Sequence, residues 1–170
     1  MKNESMGAGL ETKKGESGMK SSIYRKIMVA TDGSELVKKA VDTAVEVAKL
    51  SEAKLYAVYV ITSGGGSLRH PKDVGWEKSM GEHLRKEGEE ATAFVQDSGK
   101  AAGVEVESVI LEGNAGHEIV EFAEKNDIDL IVMGTLGKTG IQRFLLGSVA
   151  ENVVRHSRKA VVVARGEKAE

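Results

Sequence analysis

The sequence predicts an α/β domain built on a parallel sheet with helices on both faces. Two observations carry that expectation. Short apolar runs alternate along the chain with stretches whose apolar residues recur at helical spacing. The runs are also near-continuously apolar, as strands covered on both faces must be, rather than apolar on every second residue. The 170 residues, 41% hydrophobic and 29% charged, suffice for one domain with a sizeable core and are short for two.

Residues 1–22 are polar, Gly/Ser-rich and mixed in charge. They lack the continuous apolar segment of a secretory signal and any stretch able to span a bilayer. A disordered leader is expected there, followed by one domain over 23–170 in a cytoplasmic protein with no membrane partner. Tyr24–Ala30 reads as the first strand, feeding the turn Thr31-Asp32-Gly33-Ser34. From Glu35 to about Leu50, Leu36, Val37, Ala40, Val41, Ala44, Val47 and Ala48 share one helical face. Leu55–Ile61 is the second strand, and residues 62–76, with three consecutive glycines and the only proline, break the pattern as a surface loop.

A helix follows over about Glu77–Ala102, striped by Met80, Leu84, Ala91, Phe94, Val95, Ala101 and Ala102. Val104–Leu111 is the third strand, Ala115–Lys125 a helix, and Asp129–Met133 the fourth strand, running into Gly134. Ser148 opens the last helix, Val149 to about His156, and Lys159–Ala164 is the fifth strand. Ser148-Val149-Ala150-Glu151 fits the S-x-x-E capping box, so Ser148 is expected to cap.

Composition excludes several functions. A net charge of −2 argues against a protein that neutralises nucleic-acid phosphates, and 4% aromatics leave little for base stacking. The absence of cysteine removes disulfides, thiolate metal sites and cysteine nucleophiles. His70, His83, His117 and His156 are scattered without a paired metal-ligand spacing, so no protein-only metal site is expected.

Twenty glycines against one proline point the search to the segments after the strands, where parallel sheets bind ligands. After strand four come Gly134, Gly137 and Gly147, then Ser148 at the start of a helix. Glycine lets backbone N–H groups approach a ligand, and a helix N-terminus attracts anions, which together make a phosphate cradle. Turn glycines and a capping serine account for the same residues equally well. Gly137-Lys138-Thr139 imitates the end of a P-loop, but the required glycine five residues earlier is Val132. The dinucleotide fingerprint fails as well, because strand one is followed by a single glycine, Gly33.

The spacing Gly134-x2-Gly137-x9-Gly147-Ser148 resembles the G-x2-G-x9-G-[ST] pattern of the ATP-binding branch of the universal stress protein family. Val29–Ser34, Asp129–Gly134 and Gly147–Val153 extend the resemblance, which covers about residues 23–165. It implies an open five-stranded parallel sheet in the order 3-2-1-4-5 and ATP as ligand, with Mg2+ or Mn2+ bridging its phosphates. Ala30, Thr31 and Asp32 would line the adenine, Asp32 accepting from a ribose or adenine donor or helping to hold the ion. Leu55 would touch the adenine, and Met133 and Gly134 would back the ribose. Gly137, Lys138, Gly147, Ser148 and Val149 would hold the triphosphate. The family's last strand pairs with its copy in a second subunit, implying a homodimer through Val161, Val162 and Val163. The function implied is a nucleotide-dependent regulatory or stress-response module with an unidentified protein partner. The competing readings are a slow ATP hydrolase or adenylyl-transferring enzyme, with Asp32, Lys138 and Arg143 as its available groups, and a dimeric scaffold with an empty cleft.

Overall fold

The computed structural model describes residues 23–62, 74–136 and 146–166, the helix over 74–78 by its backbone alone. The elements run β1 (Lys26–Ala30), a 3-10 turn (Glu35–Val37), α1 (Lys38–Ser51), β2 (Lys54–Ile61), α2 (Val74–Ala102), β3 (Val106–Glu112), α3 (Ala115–Lys125), β4 (Leu130–Gly134), α4 (Ser148–His156) and β5 (Ala160–Ala164). Every strand pairing is parallel, and the order is β3-β2-β1-β4-β5, as the resemblance implies.

The period of two in each central strand divides the core into two layers. Ile27 and Val29 of β1, Leu55 and Ala57 of β2, and Leu130 and Val132 of β4 face α1 and Val95 of α2. Met28, Val58, Ile131 and Met133 point the other way, to Ile119 and Ala123 of α3 and Ala150 and Val153 of α4. Both faces of β1 and β4 are therefore covered, and Ile27, Met28, Val29, Ile131 and Val132 are wholly buried.

Several boundaries differ from those expected. The first helix opens as a 3-10 turn, with Val37 N–H donating to the Ser34 carbonyl at 3.2 Å before the α-helix begins. Helix α2 begins at Val74, inside the stretch read as a loop over 62–76. Val104 closes a turn by donating to Gly99 O at 2.8 Å, so β3 starts two residues later than the apolar run. Phe94 is 41% exposed under the Lys38 ammonium rather than in the core, while Thr92 is buried with its hydroxyl on the Gly88 carbonyl. The leader and residues 63–73 lie outside the described residues. Among the described residues, no helix is long and apolar enough to cross a membrane.

Candidate functional site

The strand order reverses between β1 and β4, where the loops leaving the two strands diverge and open a crevice. A cavity of about 440 Å³ lies there, within the size range of small-molecule sites. Ala30, Val58, Val60, Ile119 and Met133 make its apolar lining. Thr31, Asp32, Gly134, Gly147, Ser148 and Val149 bring polar and backbone groups to the same space.

The β1 loop is fixed by local hydrogen bonds. Thr31 N–H donates to Val58 O at 2.9 Å, and its buried hydroxyl oxygen accepts from Gly33 N–H at 3.2 Å. Gly33 has φ +73° and packs against Ala91 of α2, so a side chain there is disfavoured by backbone and neighbour alike. Asp32 Oδ1 accepts from Ser34 N–H at 2.9 Å and from the Ser34 hydroxyl at 2.6 Å, a turn-forming role. Asp32 Oδ2 is buried with no hydrogen-bond partner among the described residues. One oxygen thus builds the turn and the other is left as an unused acceptor on a cavity-lining residue.

The second wall comes from β4 and α4. Gly147 N–H donates to Thr135 O at 2.7 Å, pinning together the ends of the connection between them. Gly147 is the N-cap of α4, with φ −64° and ψ 155°, and supplies no side chain to cap. The expected capping box is therefore not formed: with Gly147 as N-cap, the third helical residue is Ala150 rather than Glu151. Ser148 already belongs to the helix and makes no cap bond, because a side chain caps from the residue before the first turn. The first-turn N–H groups of Ser148, Val149 and Ala150 have no carbonyl in a preceding turn, and all three residues line the cavity. The positive end of the α4 dipole is thus presented to the cavity.

Gly134 is required neither by backbone nor by packing. Its φ lies outside the left-handed region, and an added Cβ would meet Leu136 O at 3.5 Å, Leu36 O at 3.9 Å and Val37 Cγ2 at 4.0 Å, all ordinary contacts. Leu136 and Val37 also line the cavity, so glycine at 134 keeps a wall of the cavity clear.

Eight residues expected from the sequence come together here: Ala30, Thr31, Asp32, Met133, Gly134, Gly147, Ser148 and Val149. Leu55 does not join them. It is wholly buried at the amino end of β2, in register with Ile27 and Val106, while the cavity opens at the carboxyl end. The β2 residues that reach the cavity are Val58, Tyr59 and Val60, with Thr62 just beyond, none of which the sequence singled out. Gly137, Lys138 and Arg143 lie outside the described residues.

One histidine does have a carboxylate at paired spacing, which the sequence reading passed over. His117 faces Glu121 one helical turn on, at 3.9 Å, and Glu118 completes a group close enough to share an ion. The group is on the surface of α3, and Lys125 donates to Glu121 at 2.8 Å. That hydrogen bond holds the Glu121 carboxyl below its ordinary range, so one of the three ligands is already engaged by a cation.

A family model described as the universal stress protein family matches residues 23–165. Universal stress protein MJ0531 of Methanocaldococcus jannaschii is 42% identical over 149 residues, covering 88% of this chain and 86% of its own. A universal stress protein solved in complex with cAMP matches with a TM-score of 0.63 and 28% identity, over 85% of this chain and 98% of the other. The universal stress protein of Archaeoglobus fulgidus, solved in complex with dAMP, matches with a TM-score of 0.59 and 26% identity, over 83% and 98% of the two chains.

Proposed function

The chain belongs to the universal stress protein family, and we propose that it is an ATP-binding module whose nucleotide state regulates a protein partner in a stress response. The observation that carries this reading is the pairing, around one cavity, of an unpartnered Asp32 oxygen with the uncapped start of α4. The first suits an N–H or O–H of a nucleoside and the second suits phosphate. The apolar surface of Ala30, Val58, Val60 and Met133 suits the base. Gly134, which the fold does not need as glycine, leaves room for the ribose, and Gly147, Ser148 and Val149 offer backbone N–H groups to the phosphates. Gly137 and Lys138 complete the triphosphate site on the strength of the sequence motif alone. The relatives solved with cAMP and dAMP support an adenine nucleotide as the ligand class.

The described lining offers a single carboxylate, Asp32, and no histidine. A Mg2+ or Mn2+ ion would therefore be held largely by the phosphates, with Asp32 Oδ2 as the protein's contribution. The oligomer we infer is a homodimer through β5, with Val161, Val162 and Val163 on an open sheet edge.

Calorimetric titration of ATP into the wild-type chain and Gly134→Val tests the site. The variant is expected to lose at least about tenfold in affinity, roughly 1.4 kcal/mol, with its melting temperature little changed. Equal affinity in the two proteins contradicts the assignment. Phosphate release with Mg2+ or Mn2+ is expected well below about 1 per second, and turnover at or above that rate makes the protein an enzyme instead.

A further inference from the structure

We propose that Gly166, outside the cavity, is a positioning residue for the ligand site, holding the Glu35–Val37 turn against the end of β4. The proposal rests on the nucleotide reading above and adds a residue that the motif does not contain. Gly166 follows β5, and its backbone lies directly on that of Leu36 in the 3-10 turn. A Cβ at 166 would overlap the Leu36 carbonyl oxygen and would stand 3.0 Å and 3.1 Å from the Leu36 carbonyl carbon and Cα. These are backbone atoms at the entry to α1, so no side-chain rotation relieves the overlap. Gly166 has no positive φ, so space rather than backbone conformation demands glycine.

The Leu36 carbonyl is also near Gly134, whose added Cβ would meet it at 3.9 Å. Gly134 and Gly166 therefore flank one carbonyl, and the next residue, Val37, is buried and lines the cavity. A side chain at 166 leaves two escapes. If the turn moves, Val37 shifts relative to Gly134 and a wall of the cavity is displaced. If the tail moves, it pulls on Ala164, whose carbonyl accepts from Thr135 N–H at 3.0 Å and which is in register with Gly134. Thr135 lines the cavity too, and its own carbonyl holds Gly147 N–H. Both escapes end at the ligand site.

The test uses the full chain as Gly166→Ala and Gly166→Val, with Gly81→Ala as control, since nothing lies within 4 Å of a Cβ at 81. Amide hydrogen exchange over residues 31–37 and 134–135, without nucleotide, reads the positions of turn and strand end. ATP affinity by calorimetry reads the site. The expected result is faster exchange in those two segments and an ATP affinity about tenfold weaker in Gly166→Val, with a smaller loss in Gly166→Ala and none in Gly81→Ala. Wild-type exchange and affinity in Gly166→Val overturn the positioning role. So does a lowered melting temperature with exchange in those segments and affinity both unchanged, which marks Gly166 as structural only. A wild-type chain that binds no ATP overturns the nucleotide reading, and with it the ligand half of this proposal, whatever the exchange shows.

Discussion

A buried carboxylate oxygen without a partner costs about 1–3 kcal/mol, and Asp32 Oδ2 has no hydrogen-bond partner among the described residues. Its twin, Oδ1, is fully used by Ser34, so the turn itself gains nothing from the second oxygen. In Asp32→Asn the amide oxygen can keep the Ser34 bonds while an NH2 donor replaces the free acceptor. The variant is therefore expected to melt at or slightly above the wild-type temperature without ligand and to bind ATP about tenfold more weakly. A variant less stable and equally tight in binding would mean that the carboxylate serves only the turn. Calorimetry and thermal unfolding read both quantities. Asp32 was legible in the sequence because it follows an apolar run and precedes Gly-Ser, which fixes its place in a turn. Leu55 was misplaced because an apolar strand has no punctuation to mark its register. The carboxyl-end rule, applied to β2, selects Val60 and Thr62 instead.

Elements at the two edges of the sheet differ in how they meet solvent. The β3 edge bears Glu107 and ends in Glu112, and Lys54 bridges Glu105 and Glu107. Arg85 of α2 reaches Glu112 at 3.1 Å. Charges of this kind block pairing with another strand. The β5 edge is Ala-Val-Val-Val-Ala with no charge, and Val162 is 37% exposed. An apolar, β-prone edge of this kind invites a partner strand, which the proposed two-fold dimer would supply. Val162→Glu is expected to convert the proposed dimer to a folded monomer in sedimentation or light scattering. An unchanged dimer would place the interface elsewhere, and a monomeric wild type would remove it. Element types were readable from periodicity, but their ends were not. The start of α4 was read one residue wrong because S-x-x-E matches the capping box, yet Gly147 rather than Ser148 holds the extended backbone of the cap. The start of α2 at Val74 was hidden because Gly75 is a poor helix former near a proline.

At the scale of the whole molecule, alternate residues of the central strands separate two core layers, and the reversal between β1 and β4 opens a cavity between loops those layers hold in place. The fold class was legible because strands buried on both faces leave an unmistakable apolar run, and the strand order followed from the family resemblance. The contributions of Tyr59, Ala115 and Ile119 to the cavity were not, since they come from elements far apart in sequence that only the assembled sheet brings together. Gly166 was invisible for the same reason: its neighbour, Leu36, lies 130 positions earlier in the chain. ATP is proposed to bind between the β1 loop and the start of α4. Titrating ATP into the uniformly 15N-labelled chain and following its amide resonances tests that claim residue by residue. Saturable shifts are predicted at Thr31–Ser34, Gly134–Thr135 and Gly147–Ala150, with the buried amide of Leu55 at the opposite end of β2 unmoved. Absence of saturable shifts, or shifts confined to residues away from this cavity, would contradict it.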